Sequence, residues 1–345
     1  MPFPIFPWHT GAWQQLQDMR ERLPHAILFY GATGIGKSAF AESVAASLLC
    51  ESRTADGHAC GTCLSCGWFA QYSHPDYRRV RPEALDDDDA GEGVEDDSKK
   101  VTKATKAPSK DIRIEQVRAL ANFMNLSTHR QGKRVVLLYP AEALNSASAN
   151  ALLKTLEEPP PDTVFLLVSN SPERLLPTIL SRCRQFALPT PSAAQSLDWL
   201  ATQQIQNASD WLAEQGGAPL AALAMAQGGS REMQDELVAV LARPSADSAI
   251  KTADRLQKLP MTEMVVCLQR WMYDLCSLKL AGNIRYYPKH HAVLGRLAAQ
   301  VSQDALLKAV SALNQRRAIA EHPLSPKLFI EDMLLDYVRL FLVEK

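Results

Sequence analysis

The sequence has no uninterrupted run of about 18 apolar residues, so a membrane-spanning helix is excluded. Its first eight residues, MPFPIFPW, carry no positive charge and are interrupted by prolines, which argues against a secretory signal. Net charge is also scarce, at −1 over 345 residues. We therefore expect a cytoplasmic protein that does not associate with membranes, and charge alone gives no indication of nucleic-acid binding.

The segment from 83 to 110 lacks large apolar side chains and holds nine acidic residues followed by five lysines. Such a composition cannot repay the entropy cost of ordering, so we predict a disordered surface insertion. The rest of the chain has 32 basic and 29 acidic residues, a small excess of positive charge. A passive insertion is favoured over a partner-binding tract, and its deletion should leave function unchanged.

Strands and helices alternate through the first half of the chain. Short apolar runs predict buried strands at 26–30, 134–139 and 163–169, and a helix is predicted from Lys37 to Leu49. Another helix should end near Glu158, before three prolines. This alternation predicts an α/β fold, a parallel sheet with helices on both faces.

Strand patterns are absent after about Pro191, where helix-period stretches such as 305–320 and 327–342 dominate. We predict three domains. The α/β domain spans 1–189, a small helical domain spans 190–231, and a larger helical domain spans 232–345.

A glycine-rich loop follows the first predicted strand and fits the pattern G-x-x-x-x-G-K-[ST]. Backbone N–H groups in such a loop wrap nucleotide phosphates, Lys37 would reach the β- and γ-phosphates, and Ser38 would bind Mg²⁺. The pattern predicts bound ATP or ADP with Mg²⁺, held by Gly31, Gly34, Gly36, Lys37 and Ser38.

Hydrolysis would need a carboxylate at the end of a second strand, with an acid beside it to activate water. The strand at 134–139 ends in Tyr139-Pro140, and neither residue supplies a carboxylate. Glu142 is close in sequence but lies beyond Pro140, off the strand end. We therefore expect nucleotide binding without ATPase activity by this chain.

Seven cysteines are present, and four of them form the pattern C-x₉-C-x₂-C-x₂-C, namely Cys50, Cys60, Cys63 and Cys66. Four thiolates in this spacing can close a tetrahedral zinc site with no open position, which indicates a structural metal. An iron–sulfur cluster is the weaker alternative, because the fourth nearby cysteine and the following proline of that motif are missing. Disulfides or free thiols are the remaining possibilities.

Several segments together resemble the delta-prime subunits of the bacterial DNA polymerase III clamp loader, within the AAA+ group. The matching segments are Pro7-Trp8, the four-cysteine cluster, His74-Pro-Asp-Tyr77, NALLKTLEEPP at 150–160, Pro172-Glu-Arg-Leu-Leu176 and Ser181-Arg-Cys183. They cover most of residues 7–190, whereas the C-terminal half fits the family only in length and helicity.

The resemblance implies a RecA-like AAA+ module with a zinc loop, a small helical lid and an all-α collar. It implies a ring of five in which the collar joins this chain to the loader's tau/gamma ATPase subunits and its delta subunit. The resemblance also implies the sliding clamp and primer–template DNA as partners within that complex. Delta-prime subunits are similar in fold to the ATPase subunit but lack the Asp-Glu of its second motif. In this sequence Tyr139-Pro140 stand at that position.

The resemblance also implies that Arg182, in Ser-Arg-Cys, is an arginine finger that reaches the ATP of a neighbouring subunit. The alternative from residue type alone is a surface arginine that pairs with a carboxylate. Arg231, in Gly228-Gly-Ser-Arg231, resembles the lid's second sensor, although a plain helix start at Ser230 explains it equally well. Ser169 or Asn170 is a weak candidate for a γ-phosphate sensor.

Three functions are weighed. A non-hydrolysing clamp-loader subunit that supplies Arg182 is favoured. A self-standing AAA+ ATPase is opposed by Tyr139-Pro140. A zinc-dependent nucleic-acid-binding protein is opposed by the small positive excess outside the insertion. Whether this chain counts as an enzyme is left open, because polymerisation is carried out by the nucleotidyltransferase holoenzyme and not by this chain.

Overall fold

The computed structural model describes residues 3, 5–86, 108–125, 128–129, 132–228, 231–257, 260–320 and 325–342. They divide into two compact units, residues 1–190 and 191–345. Most of the charged insertion, 87–107, lies outside the described residues. Its first four residues form a short helix, Glu83–Asp86, and Glu83 pairs with Arg113 at 3.0 Å. Order therefore extends further into the segment than the composition predicts.

The described part of the first unit contains five strands in one parallel sheet, with the order β2-β3-β4-β1-β5. The strands are β1 (Ala26–Tyr30), β2 (Tyr77–Val80), β3 (Arg134–Leu138), β4 (Thr163–Ser169) and β5 (Arg184–Ala187). The helices are α1 (Thr10–Asp18), α2 (Lys37–Leu49), α3 (Leu64–Ala70), α4 (Glu83–Asp86), α5 (Ile114–Asn125), α6 (Ser146–Glu157) and α7 (Pro177–Leu180). Short 3₁₀ helices cover Pro7–His9, Arg20–Arg22, Ala141–Ala143 and Pro172–Arg174.

Alternate side chains of the central strands enter two separate apolar cores. Ile27 and Phe29 of β1 pack with residues of α1, α2 and α3 on one face. Ala26 and Leu28 pack with α5, α6 and α7 on the other. The predicted α/β fold, with helices on both faces of a parallel sheet, is confirmed.

The described residues of the second unit form helices and connecting loops, with no strand among them. Its helices are α8 (Ala193–Thr202), α9 (Ala208–Glu214), α10 (Pro219–Gln227), α11 (Arg231–Ala242), α12 (Ala246–Leu256), α13 (Met261–Ala281), α14 (His291–Gln300), α15 (Gln303–Ile319) and α16 (Pro326–Arg339), with a 3₁₀ turn at Pro288–His290. Leu200, Leu212 and Ala222 form a small core among α8, α9 and α10. A larger core joins α11 to α16. The division into a lid at 190–231 and a collar at 232–345 stays a prediction.

Buried hydrogen bonds fix the larger helical core. The Trp271 indole donates to the Tyr337 hydroxyl at 2.9 Å, and that hydroxyl donates to the Leu241 carbonyl at 2.7 Å. These bonds tie together α13, α16 and α11 and satisfy polar atoms that burial would otherwise penalise. Within the described residues, no helix combines the length and the apolar character needed to cross a membrane.

Candidate functional site

The glycine-rich loop connects β1 to α2 and depends on left-handed backbone conformations. Gly34 has a φ of 77° and Gly36, the N-cap of α2, has a φ of 91°. At Gly31 a Cβ atom would lie 2.8 Å from the Leu188 carbonyl oxygen, which is too close for any side chain. Glycine is therefore required where the loop turns from strand to helix. Ser38 lies in the first turn of α2, at the positive end of the helix dipole.

Lys37 is buried at the start of α2, with 4% of its surface exposed. Its ammonium donates a hydrogen bond to the Ala32 carbonyl within the same loop, at 2.6 Å. Burial lowers the pKa of Lys37 to about 8, and the negative charge of Glu142 opposes that fall. The lysine is thus held inside the loop, where a phosphate would meet its charge with little competition from water.

An aromatic segment before α1 packs under this loop. The Trp8 indole donates to the Ile35 carbonyl of the loop at 2.9 Å, and its ring stacks on Phe6 with centroids 5.0 Å apart. His9 is fully buried and contacts the edge or face of Phe6, Trp8 and Phe40. Neither ring nitrogen of His9 has a hydrogen-bond partner among the described residues. Burial, and then the Lys37 charge, lower the pKa of His9 to about 4.

The carboxyl edge of the sheet lies beside the loop. β3 ends at Leu138, one residue earlier than the sequence predicts, and Tyr139 accepts a hydrogen bond from Arg81 at 3.4 Å. The Glu142 carboxylate follows in a 3₁₀ turn and accepts the backbone N–H of Asn170 at 3.0 Å. Ser169 is buried, and its hydroxyl accepts the N–H of Ser171. The edge therefore has a carboxylate, although the strand end itself has none.

The four cysteines predicted as metal ligands come together. Their sulfur atoms all lie within 4.8 Å of one another, with Cys50 at the end of α2 and Cys63 as the N-cap of α3. Cys50 and Cys63 are 3.9 Å apart, as are Cys60 and Cys66. Four convergent thiols on short chain segments fit a tetrahedral ion.

Backbone N–H groups point at the cysteine sulfurs, as thiolate ligands require. Cys50 accepts from the N–H of Cys60 at 3.2 Å, and Cys63 accepts from that of Cys66 at 3.4 Å. Hydrogen bonds from Thr62 and Cys63 lower the pKa of Cys60 to about 6. Burial raises the pKa of Cys66. Donors of this kind stabilise the negative charge of ligating sulfurs and orient them, so the cluster could hold a metal such as zinc.

The loop that carries these cysteines is fastened to α1. His58 stacks on Trp13 with nearly parallel rings 4.5 Å apart, and the Trp13 indole donates to the Asp56 carbonyl at 2.9 Å. Gly57 has a φ of 79°, a conformation that side chains rarely adopt, and it lies against the Gln17 side chain. A metal in this loop would therefore stabilise the packing of residues 50–66 against the α/β core.

Arg182 lies just after α7, and 32% of its side chain is exposed. Its guanidinium donates to the Glu157 carboxylate at the end of α6 and, at 2.9 Å, to the Thr178 carbonyl. The neighbouring Cys183 is buried in the core that α6 and α7 share. The arginine is therefore anchored at its base and paired at its tip, within reach of solvent.

Arg231, the weaker candidate, opens α11 in the second unit. Its guanidinium pairs with Glu214 at 2.8 Å and with Asp235 at 2.9 Å, and it lies 4.3 Å from the centroid of the Trp211 ring. These contacts give the arginine a role inside the helical unit. A nucleotide-sensing role for Arg231 stays a prediction.

Sequence reasoning missed three features of this site. They are the buried His9, the bond from Trp8 to Ile35, and the contact from Glu142 to Asn170. The run Phe6-Pro7-Trp8-His9 just before an amphipathic helix was a usable signal of an aromatic cover. Nothing in the sequence places Glu142 against Asn170, because the two lie 28 residues apart and meet only through the strand order.

The family described as DNA polymerase III, delta subunit, matches residues 8–192. A DNA polymerase III subunit delta-prime of Pseudomonas aeruginosa is 44% identical over 238 residues, 68% of this chain and 65% of that protein. The corresponding subunit of Haemophilus influenzae is 32% identical over 67% of this chain and 64% of that protein. The chain thus spans about 65% of the length of these relatives.

Among solved structures, the chain is similar to a protein of Thermotoga maritima related to the gamma subunit of DNA polymerase III. That alignment covers 95% of this chain and 100% of the other, at 17% identity and a TM-score of 0.44.

Proposed function

Because the chain belongs to the DNA polymerase III delta-subunit family, we propose that it acts as the delta-prime subunit of a clamp loader. In this role it does not hydrolyse ATP, and it supplies Arg182 and a rigid scaffold to the ring that opens and loads the sliding clamp. The observation that carries the proposal is the family match over residues 8–192, which includes the phosphate loop, the cysteine cluster and Ser181-Arg-Cys183.

The proposed partners are the tau/gamma ATPase subunits and the delta subunit, joined through the helical second unit. Within the assembled complex the chain would meet the sliding clamp and primer–template DNA. Replication takes place in the bacterial cytoplasm, where we place this protein.

Arg182 is the residue that we propose as the arginine finger. A guanidinium placed on the γ-phosphate of a neighbouring subunit's ATP stabilises the charge of the transition state, an effect of about 10³–10⁵ in rate for other NTPases. The side chain of Arg182 is partly exposed, which suits such a reach, while the adjacent Cys183 is buried. Its ion pair with Glu157 is also partly exposed, so exchange of the carboxylate for a phosphate costs little.

We also propose that the four cysteines hold one structural zinc ion, and that the phosphate loop holds ADP or ATP with Mg²⁺. Four sulfurs leave no open position on zinc, so the ion would clamp the loop without taking part in a reaction. Lys37 would bind the phosphates and Ser38 would bind Mg²⁺, while Tyr139-Pro140 offers no carboxylate at the strand end.

The test is ATP turnover by a ring reconstituted from the tau/gamma ATPase subunit, the delta subunit and this chain, with clamp and primed DNA added. We expect no turnover by this chain alone, and a fall of at least about 100-fold in the ring that contains Arg182→Ala. Arg174→Ala is the matched control, because Arg174 is an exposed arginine in the same region, and it should leave turnover unchanged.

Three results would contradict the proposal or part of it. Turnover by the isolated chain would restore the self-standing ATPase. Unchanged turnover in the Arg182→Ala ring would remove the arginine finger and leave the chain as a scaffold. Salt-sensitive DNA binding by the chain alone would instead favour the zinc-dependent nucleic-acid-binding protein.

A further inference from the structure

Three parallel strands end at the same edge of the sheet beside the phosphate loop. β4 lies between β3 and β1, with Leu138 opposite Leu167 and Tyr30 opposite Ser169. The loop continues directly from β1, and Asn170 continues from β4. In open parallel sheets ligands bind outside the carboxyl ends of the strands. A charged side chain held at this edge therefore lies at the end of the sheet where a nucleotide would bind.

Glu142 is such a side chain, and only one of its two carboxylate oxygens has a hydrogen-bond partner among the described residues. Oε1 accepts the backbone N–H of Asn170 at 3.0 Å, which fixes the carboxylate at the end of β4. Oε2 is buried and has no hydrogen-bond partner among the described residues. A buried carboxylate oxygen without a partner is costly, so a ligand that supplies a positive charge or a donor would be favoured here.

The chemistry of the surroundings identifies that ligand. A second anion at a phosphate site is repelled unless a cation lies between them, and Mg²⁺ is bound in such sites by one or two carboxylates, phosphate oxygens and water. The Lys37 ammonium is already bonded to the Ala32 carbonyl. Glu142 follows β3 and the loop that holds Lys37 follows β1, at the same edge of the sheet, and the negative charge of Glu142 raises the pKa of Lys37.

We propose that Glu142 supplies the carboxylate that the end of β3 lacks, and that it binds the Mg²⁺ of a loop-bound nucleotide, directly or through a water molecule. This inference rests on the proposed nucleotide binding. Glu142 is held by Asn170 and has no second acid beside it on the strand end, where Tyr139-Pro140 stands. The chain would therefore bind Mg²⁺–nucleotide without activating a water molecule for attack.

The other role that the geometry allows Glu142 is a fixed counter-charge for Lys37. The two roles predict opposite effects of neutralisation. As a metal ligand, the carboxylate strengthens nucleotide binding only when Mg²⁺ is present. As a counter-charge, it repels phosphates at all times, so its removal strengthens nucleotide binding with or without the metal.

The test is a calorimetric titration of the full-length chain with ADP, in buffer with Mg²⁺ and in buffer with EDTA. For the wild type we expect tighter binding with Mg²⁺. For Glu142→Gln we expect the gain from Mg²⁺ to fall by about 10-fold or more, the usual loss when a group that orients a bound metal is removed. Affinity in EDTA should stay the same or rise. Glu173→Gln, at an exposed carboxylate three residues after Asn170, is the matched control.

A second measurement does not depend on affinity. With Mn²⁺ in place of Mg²⁺, electron paramagnetic resonance should report an immobilised ion in the wild type with ADP and a mostly free ion in Glu142→Gln. Thermal melting of both variants checks that they fold.

Retention of the full Mg²⁺ gain by Glu142→Gln would overturn the inference, as would tighter binding by that variant in both buffers. If the wild type binds no ADP in either buffer, the nucleotide site and the role of Glu142 are both rejected. The arginine-finger proposal, measured by turnover of the ring, would be unaffected.

Discussion

The Arg182 guanidinium and the Glu157 carboxylate form an ion pair that joins the segment after α7 to the end of α6. Both side chains are exposed to solvent, Arg182 by 32% and Glu157 by 49%. Such a pair contributes only about 0–1 kcal/mol to stability. The ion pair therefore affects the orientation of the Arg182 side chain more than the stability of the fold. A phosphate on a neighbouring subunit would compete with Glu157 for the same guanidinium donor.

Neutralisation of Glu157 should favour the phosphate in that competition. We expect the reconstituted ring with Glu157→Gln to hydrolyse ATP at least as fast as the wild type, with a rise of about 2- to 5-fold in kcat/KM, since an exposed pair costs under about 1 kcal/mol to break. Steady-state turnover of the ring measures this. Glu158→Gln, the exposed neighbour, is the control, and a fall as large as that of Arg182→Ala would show instead that Glu157 positions the finger.

The central elements could be predicted from the sequence to within a residue, and the edge elements could not. β1, α2 and β4 begin and end where the apolar runs and the glycine loop indicate. β2 (YRRV) and β5 (RQFA) are four-residue strands at the two edges of the sheet, and each has two charged or polar residues. Edge strands are half exposed, so they lack the continuous apolar run that marks a buried strand.

The candidate site divides in the same way. Motif residues that are close in sequence, such as Lys37 in its loop and Cys60 in its cluster, were found from spacing alone. His9 was not identified, and Glu142 was set aside because it lies beyond Pro140. The positions of both depend on strand order and on an N-terminal segment folded under the loop. Spacing reports local chemistry, whereas contacts between distant segments follow from topology.

The hydrogen bond from Trp8 to the Ile35 carbonyl should hold the phosphate loop in shape. Trp8→Phe keeps an aromatic ring but removes the donor and leaves a buried carbonyl unpaired, so we expect a loss of about 1–3 kcal/mol in the free energy of unfolding. Urea denaturation measures this loss, and titration with ADP should show weaker binding. Phe6→Leu is the matched variant, because it removes the stacked ring and keeps the bond. Equal stability of Trp8→Phe and the wild type would contradict the prediction.

The cysteine cluster should contain one zinc ion per chain. We expect elemental analysis of the purified protein to find zinc at that ratio, and we expect Cys60→Ser to lose it. Loss of a structural metal belongs to the rare class of changes that cost about 4 kcal/mol or more, and the melting temperature should fall accordingly. Cys276→Ser, outside the cluster, should keep both the metal and the melting temperature. Iron absorbance, or a protein that is stable without metal, would argue against this assignment.

The buried His9 should make the protein sensitive to mild acid. Its pKa is about 4 in the folded chain because burial and the Lys37 charge disfavour the protonated ring, whereas an unfolded histidine titrates near 6.5. Between these values the unfolded chain binds more protons, so stability is unaffected above about pH 6.5 and falls as the pH falls toward 4. His9→Leu has no group to protonate and also removes two buried nitrogens without partners among the described residues.

We therefore expect His9→Leu to be at least as stable as the wild type at pH 7 and to gain relative stability steadily from pH 6.5 to pH 4. Urea denaturation of both proteins at a series of pH values measures the difference, and titrations of the carboxylates they share cancel. His291→Gln, at an exposed histidine, is the matched control. A constant difference between His9→Leu and the wild type across this range would mean that His9 is protonated in the folded chain, with a partner for each ring nitrogen.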